Sequence, residues 1–152
     1  MRGSSMKIYV DVFQTQKAGN EKAEYEDAYW PRLDSTTLQA NKVRVAVADG
    51  ATDAVYSGLW AQLLVRAYGR QQLTLNNTNS DLTKAARIWR RIVGTRPLPW
   101  YAEEKARLGS FAALVGLERF SSVCRGAGVS WKDAVCPFVG SATPHCVGLS
   151  NC

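Results

Sequence analysis

No cysteine precedes Cys124, and the other three are Cys136, Cys146 and Cys152. No two of them form a C-x₂-C pair, the close pair that structural zinc sites usually show. The only histidine, His145, stands directly beside Cys146, an awkward arrangement for one tetrahedral ion. Zinc is therefore not expected. A Cys–His nucleophilic pair would need a third orienting group and is not expected either. No charged-then-apolar leader opens the chain, so no secretory signal implies a compartment in which the thiols would oxidise. The longest apolar run, residues 111–117, is far too short to cross a bilayer. These absences fit a cytoplasmic protein with no membrane segment. Internal repeats and low-complexity blocks are missing too.

Charge is scarce at one end. After Phe120 there is no Glu, and only Arg125, Lys132 and Asp133 are charged. Ser, Gly and Val are in surplus there. The chain thus carries two compositions, with the break near Phe120. At the other end, Met1-Arg2-Gly3-Ser4-Ser5 reads as a vector-derived leader ahead of a natural start at Met6.

What remains is ordinary globular material. The chain has 152 residues, 46% hydrophobic and 21% charged, enough for one domain with one core and unlike a disordered tract or a fibre. Lys plus Arg is 19 against 13 Asp plus Glu, a net charge of +6. That balance keeps a polyanion in view without identifying one.

Periodicity predicts the elements. Residues 7–14 alternate, with Ile8, Val10 and Val12 on one side, as in a strand facing a core. Residues 16–24 read as a loop and 26–30 as a short strand stopped by Pro31. Residues 42–48 form a clear strand, with Val43, Val45 and Val47 opposite Arg44, Ala46 and Ala48. Asp49-Gly50 reads as the turn that ends it. Tyr56, Leu59, Trp60, Leu63, Leu64, Ala67 and Tyr68 make the stripe of an amphipathic helix stopped at Gly69. Residues 76–80 read as a loop, and Asp81 as the cap of a second helix with Leu82, Ala85, Ala86, Trp89, Ile92 and Val93 buried. Residues 100–108 form a short polar helix stopped by Gly109. Residues 110–117 read as an interior strand. Beyond Phe120 the pattern fades, although Val129, Trp131, Val135 and Phe138 suit a strand interrupted by Gly and Pro. Strands followed by helices and then a strand predict a mixed α/β or α+β sandwich.

The informative acids are Glu26, Asp27 and Asp49. Carboxylates at neighbouring strand ends make an oxygen-rich site for Mg²⁺ or Mn²⁺, which prefer carboxylate, carbonyl and water ligands. Gly50 would let its backbone carbonyl come close to such an ion. On spacing alone the same residues also read as a plain Asp-Gly turn and a solvated Glu, the commoner origin of such a pattern.

Glu26-Asp27-Ala28, then Val45-Ala46-Val47-Ala48-Asp49-Gly50-Ala51, then Gly109-Ser110-Phe111-Ala112-Ala113-Leu114-Val115-Gly116-Leu117 follow in order. Together they resemble the PP2C-type metal-dependent serine/threonine phosphatases, most of all their small bacterial members. Ser57-Gly58-Leu59-Trp60-Ala61 and residues 99–105 fit that subgroup. The resemblance spans residues 6–120. It implies an α+β fold, the N-terminal half of an α-β-β-α sandwich, incomplete in this chain. It implies hydrolysis of a phosphoprotein or other phosphate monoester at a two-metal site holding Mg²⁺ or Mn²⁺. By the same resemblance Asp49 bridges both metals, Glu26 binds one, and the Gly50 carbonyl completes that sphere.

Departures from the family matter. Family members often carry an Arg four residues before the metal-binding Glu; here that position is Lys22, a point charge without the planar fork. Asp49-Gly50 is followed by Ala51-Thr52-Asp53, so the His proposed as general acid in some members is missing. The later Asp-Gly and Asp-Asn motifs are missing as well. Low or no activity is therefore expected, and an unfinished sheet would favour homo-oligomers. Codons permitted for residues 140–146, read one nucleotide out of register, give the Gly-Asp-Ser-x-Leu stretch of the bacterial members. Residues 121–152 are accordingly expected to be out-of-frame translation; a divergent native C-terminus is the alternative.

The rival class is a non-enzymatic binding module. Lys84, Arg87, Arg90, Arg91 and Arg96 make a basic region that would suit nucleic acid or an acidic partner. A solvated helix face explains it as well. Trp89 falls in the buried stripe, so nucleic acid is not the expected partner. The five Trp and six Tyr residues are expected mostly in the core.

Overall fold

In the computed structural model, the described residues are 6–13, 15, 25–32, 36–40, 42–123 and 129–141. They form an α+β fold built on one antiparallel sheet. Its order is β2 (Ala28–Trp30), β4 (Lys42–Gly50), β5 (Phe111–Val123) and β6 (Val129–Ser141). A separate two-stranded sheet pairs β1 (Met6–Val10) antiparallel with β3 (Thr36–Ala40). Three helices lie between β4 and β5: α1 (Ser57–Gly69), α2 (Thr78–Val93) and α3 (Trp100–Leu108).

α1 lies on β2, β4 and β5, and α2 packs on α1. The volumes explain the fit. Trp60, Leu64 and Tyr68 of α1 are large and buried, while the sheet residues beneath are small: Ala28, Ala46, Ala48 and Ala112. A helix with long side chains approaches a sheet closely only where the sheet offers short ones. α2 closes the core with Leu82, Ala85, Ala86, Trp89 and Val93.

The alternation in β4 is as predicted, and the alanine face is the one under α1. Past Val43, which is buried, the valine face opens: Val47 is 58% exposed and its cross-strand partner Val115 is 47% exposed. Residues 110–117 do supply an interior strand, since β5 sits between β4 and β6. Its burial nevertheless alternates, with Ala112 and Leu114 inside and Phe111 and Val115 exposed. An interior position in the sheet is thus not burial on both faces.

Several elements differ from expectation. β1 ends at Val10 rather than running on to residue 14. β3 was not foreseen at all. No turn sits at Asp49-Gly50: β4 continues through both, paired with Ala113 and Ala112, and Ala51 N–H still donates to the Phe111 carbonyl at 3.0 Å. Asp81 does not cap α2, which begins earlier at Thr78 after a short 3₁₀ turn, Leu75–Asn77. Its carboxylate instead reaches back to the Thr74 N–H at 3.2 Å and hydroxyl at 3.1 Å. Lys84, donating at 3.1 Å, does most to hold the Asp81 carboxyl below the usual range. α3 ends where predicted, at Gly109, whose φ of 88° suits a residue without Cβ. Among the described residues, no helix is long and apolar enough to cross a membrane.

Arg44 and Glu118 face each other directly across β4 and β5. The guanidinium donates to the Glu118 carboxylate from both Nε and Nη2, and its Nη1 donates to the Tyr68 carbonyl at 2.9 Å. It also lies over the Tyr68 ring, 5.0 Å from the centroid. Lys42 pairs with the same carboxylate at 2.8 Å. This network ties the far end of α1 to the sheet.

Candidate metal centre at the end of the central strand

Glu26 and Asp27 do not open a strand as expected: β2 begins at Ala28, and the two acids lie just ahead of it. β2 and β4 are neighbours in antiparallel register, with Ala28 opposite Ala48. Extended outward from β2, that register sets Asp27 opposite Asp49 and Glu26 opposite Gly50. The pleat then sorts them by face. Glu26 and Gly50 go to the α1 side; Asp27 and Asp49 go to the open side.

On the α1 side the backbone closes tightly. A Cβ added at Gly50 would stand 2.8 Å from the Glu26 carbonyl oxygen and 2.9 Å from the Ser57 carbonyl carbon. One added at Gly58 would stand 2.6 Å from the Tyr25 carbonyl oxygen. The start of α1, the entry to β2 and the end of β4 therefore meet through glycine. Ser57 Oγ donates to Glu26 Oε1 at 3.0 Å. Glu26, Ser57, Thr52, Gln62 and Arg96 line one cavity. Asp27 and Asp49 line another, with Tyr25, Val47 and Val115.

The expected ligands thus lie at one strand end but on two faces. Glu26 and Gly50 are brought together, and Asp49 is set beside Asp27. Lys22 lies outside the described residues, as do Cys124, His145, Cys146 and Cys152. Cys136 falls within β6, opposite Gly116. Among the described residues, no three His, Cys, Asp or Glu side chains form a group that could hold a metal ion. The candidate donors are nevertheless all oxygens, from carboxylates and one backbone carbonyl. Such a set fits part of the shell of a hard divalent cation.

Comparison with protein-family models, with curated proteins and with solved structures found no match to this chain.

Two residues at this site carried no role in the sequence reading. Ser57 was legible only as part of Ser57-Gly58. Arg96 was counted with the basic region, yet it lies over the Tyr56 ring, 4.9 Å from the centroid, at the rim of the Glu26 cavity. The rest of the basic region is mixed. Lys84 pairs with Asp81, while Arg87 and Arg91 are exposed. Trp89 is 1% exposed and its Nε1–H donates to the Tyr56 carbonyl at 3.3 Å, so it presents no ring to a base. Trp100 departs from the core expectation. It is 80% exposed and stands edge-on to Tyr101 with centroids 5.9 Å apart.

Proposed function

We propose that this chain is a PP2C-like metal-dependent phosphatase domain acting on phosphate monoesters, phosphoserine or phosphothreonine among them, with Mg²⁺ or Mn²⁺ as its metal. The observation that carries the reading is the meeting of Glu26, Gly50 and Ser57 at the end of β4, with Asp49 and Asp27 on the other face of the same strand end. The open Val47–Val115 face supports a finer reading of the fold. It is the face that the second sheet of an α-β-β-α sandwich would cover, so the sheet with α1 and α2 is one half of that sandwich.

Glu26 and Asp49 offset the charge of the cations, and the Gly50 carbonyl adds a neutral donor. The metals, when bound, supply an activated water and neutralise charge on the phosphoryl oxygens. Lys22 attracts phosphate as a point charge, which favours ground-state binding more than rate. With this partial donor set turnover is slow. Hydrolysis of p-nitrophenyl phosphate should be low, dependent on Mn²⁺ and abolished by Asp49→Ala. A rate unchanged by Asp49→Ala would overturn the assignment.

The second reading is a non-enzymatic binding module. The exposed Trp100–Tyr101 pair on α3, a helix with no buried residue, is the observation that favours it.

A further inference from the structure

Glu26 and Arg96 line one cavity of about 640 Å³ at the start of α1. They carry opposite charges, yet among the described residues neither forms an ion pair, with the other or with any third group. Each is held by a neutral partner instead. The buried Ser57 hydroxyl donates to Glu26 Oε1 at 3.0 Å and so engages one of the two carboxylate oxygens. The Arg96 guanidinium lies over the Tyr56 ring, 4.9 Å from the centroid, and its side-chain N–H groups make no hydrogen bond among the described residues. Between the two charges, Tyr25, Leu59 and Gln62 give the walls aromatic, aliphatic and amide surface.

We propose that this cavity binds a small zwitterion of the amino-acid or short-peptide class, its ammonium group at Glu26 and its carboxylate at Arg96. The volume lies in the range of small-molecule sites, where mostly apolar walls bury the ligand and a few polar groups orient it. Opposite charges lining one cavity favour a ligand that carries both. A ligand with only one of them would leave the other wall charge without a partner. Glu26 has the more to gain, because its carboxylate is half-buried and a partly desolvated charge without a counter-charge is costly. An ammonium group offsets that cost, and the oxygen that Ser57 does not engage can accept from it. At the other end, a guanidinium takes a carboxylate in a two-bond fork. The proposal does not rest on the metal reading; Asp27 and Asp49 line a separate cavity.

The test is a titration of the whole chain followed by amide chemical shifts, in metal-free buffer at neutral pH. The probes are L-alanine, dialanine and trialanine, which space the two charges differently. The tightest of them is then compared with its N-acetyl form, which lacks the cation, and its C-terminal amide, which lacks the anion. Wild type should bind at least one probe, and each blocked form should bind about tenfold more weakly or worse. Glu26→Gln keeps an oxygen for Ser57 to donate to. It should lose the preference over the N-acetyl form and keep the preference over the amide. Arg96→Gln, at an exposed residue, should do the reverse. The same spectra show that each variant is folded, and a folded variant that binds no probe would equally show its charge to be required. If wild type binds none of the three probes at millimolar concentration, or binds a blocked form as well as its parent, the proposal fails. Preferences that survive both substitutions would refute it too, because the charges being read would lie elsewhere. None of these outcomes bears on a metal at Asp27 and Asp49.

Discussion

Replacing Gly50 by Ala adds one methyl group at a crowded point of the candidate site. The new Cβ would meet the Glu26 carbonyl oxygen at 2.8 Å, the Ser57 carbonyl carbon at 2.9 Å and the Ser57 Cβ at 3.0 Å. Ordinary contact begins near 3.4 Å, so about half an ångström must be found. Two of the three atoms are backbone and cannot rotate away. Gly50 is also paired with Ala112 in the middle of the sheet, so β4 cannot retreat without breaking its ladder. The strain therefore falls on the β2 entry and the start of α1. Overpacking of this kind typically costs about 1–3 kcal/mol. In urea, with a slope on the order of 2 kcal/mol per molar, the midpoint should fall by roughly 1 M with the slope unchanged. The same displacement moves Glu26 away from Gly50, so Mn²⁺ affinity should fall too. A variant with wild-type midpoint and wild-type affinity would refute the close-approach argument.

Other outcomes follow from the charges. Burial alone would raise the Glu118 pKa, but Lys42 and Arg44 outweigh it and hold the carboxyl below its ordinary value of 4.5. A depressed folded pKa gives stability that is present above the ordinary value and lost as pH falls through the folded one. Glu118→Gln should therefore cost about 1–3 kcal/mol at pH 7, and the gap should shrink below about pH 4.5 in urea melts. A gap independent of pH would contradict the network. On α2, Arg87 and Arg91 should support only weak, salt-sensitive DNA or RNA binding, seen at low salt by fluorescence anisotropy and lost in Arg87→Glu/Arg91→Glu. A sequence-selective, sub-micromolar complex would favour the binding-module reading instead.

Much of the helical layer was legible because large apolar residues recur at helical spacing. Trp60, Leu64 and Tyr68 stand where their spacing put them, as do Leu82, Trp89 and Val93. The strands were legible by alternation, but alternation does not say which face is covered. That choice belongs to the partner: α1 brings bulk, so it settles on Ala46 and Ala48 and leaves Val47 open. β3 was illegible because Thr36–Ala40 carries no clear alternation and is a strand through its pairing with β1. The Asp49-Gly50 pair looked like a turn because local chemistry suits one, and the ladder to β5 overrides it. At the site, residue types and strand ends were readable. The sorting of Glu26 and Asp49 onto opposite faces was not, because it depends on the register of β2 against β4. Ser57 was beyond reach because its partner lies 31 residues away in sequence.

The central claim is that the end of β4, with Glu26 on one face and Asp27 and Asp49 on the other, binds a divalent metal. Crystals of this chain soaked in Mn²⁺, measured at the manganese absorption edge, test it most directly. The account predicts an anomalous peak at the end of β4, against the Glu26 carboxylate or against the Asp27 and Asp49 carboxylates. Manganese bound only elsewhere, or no peak at this strand end, would contradict it.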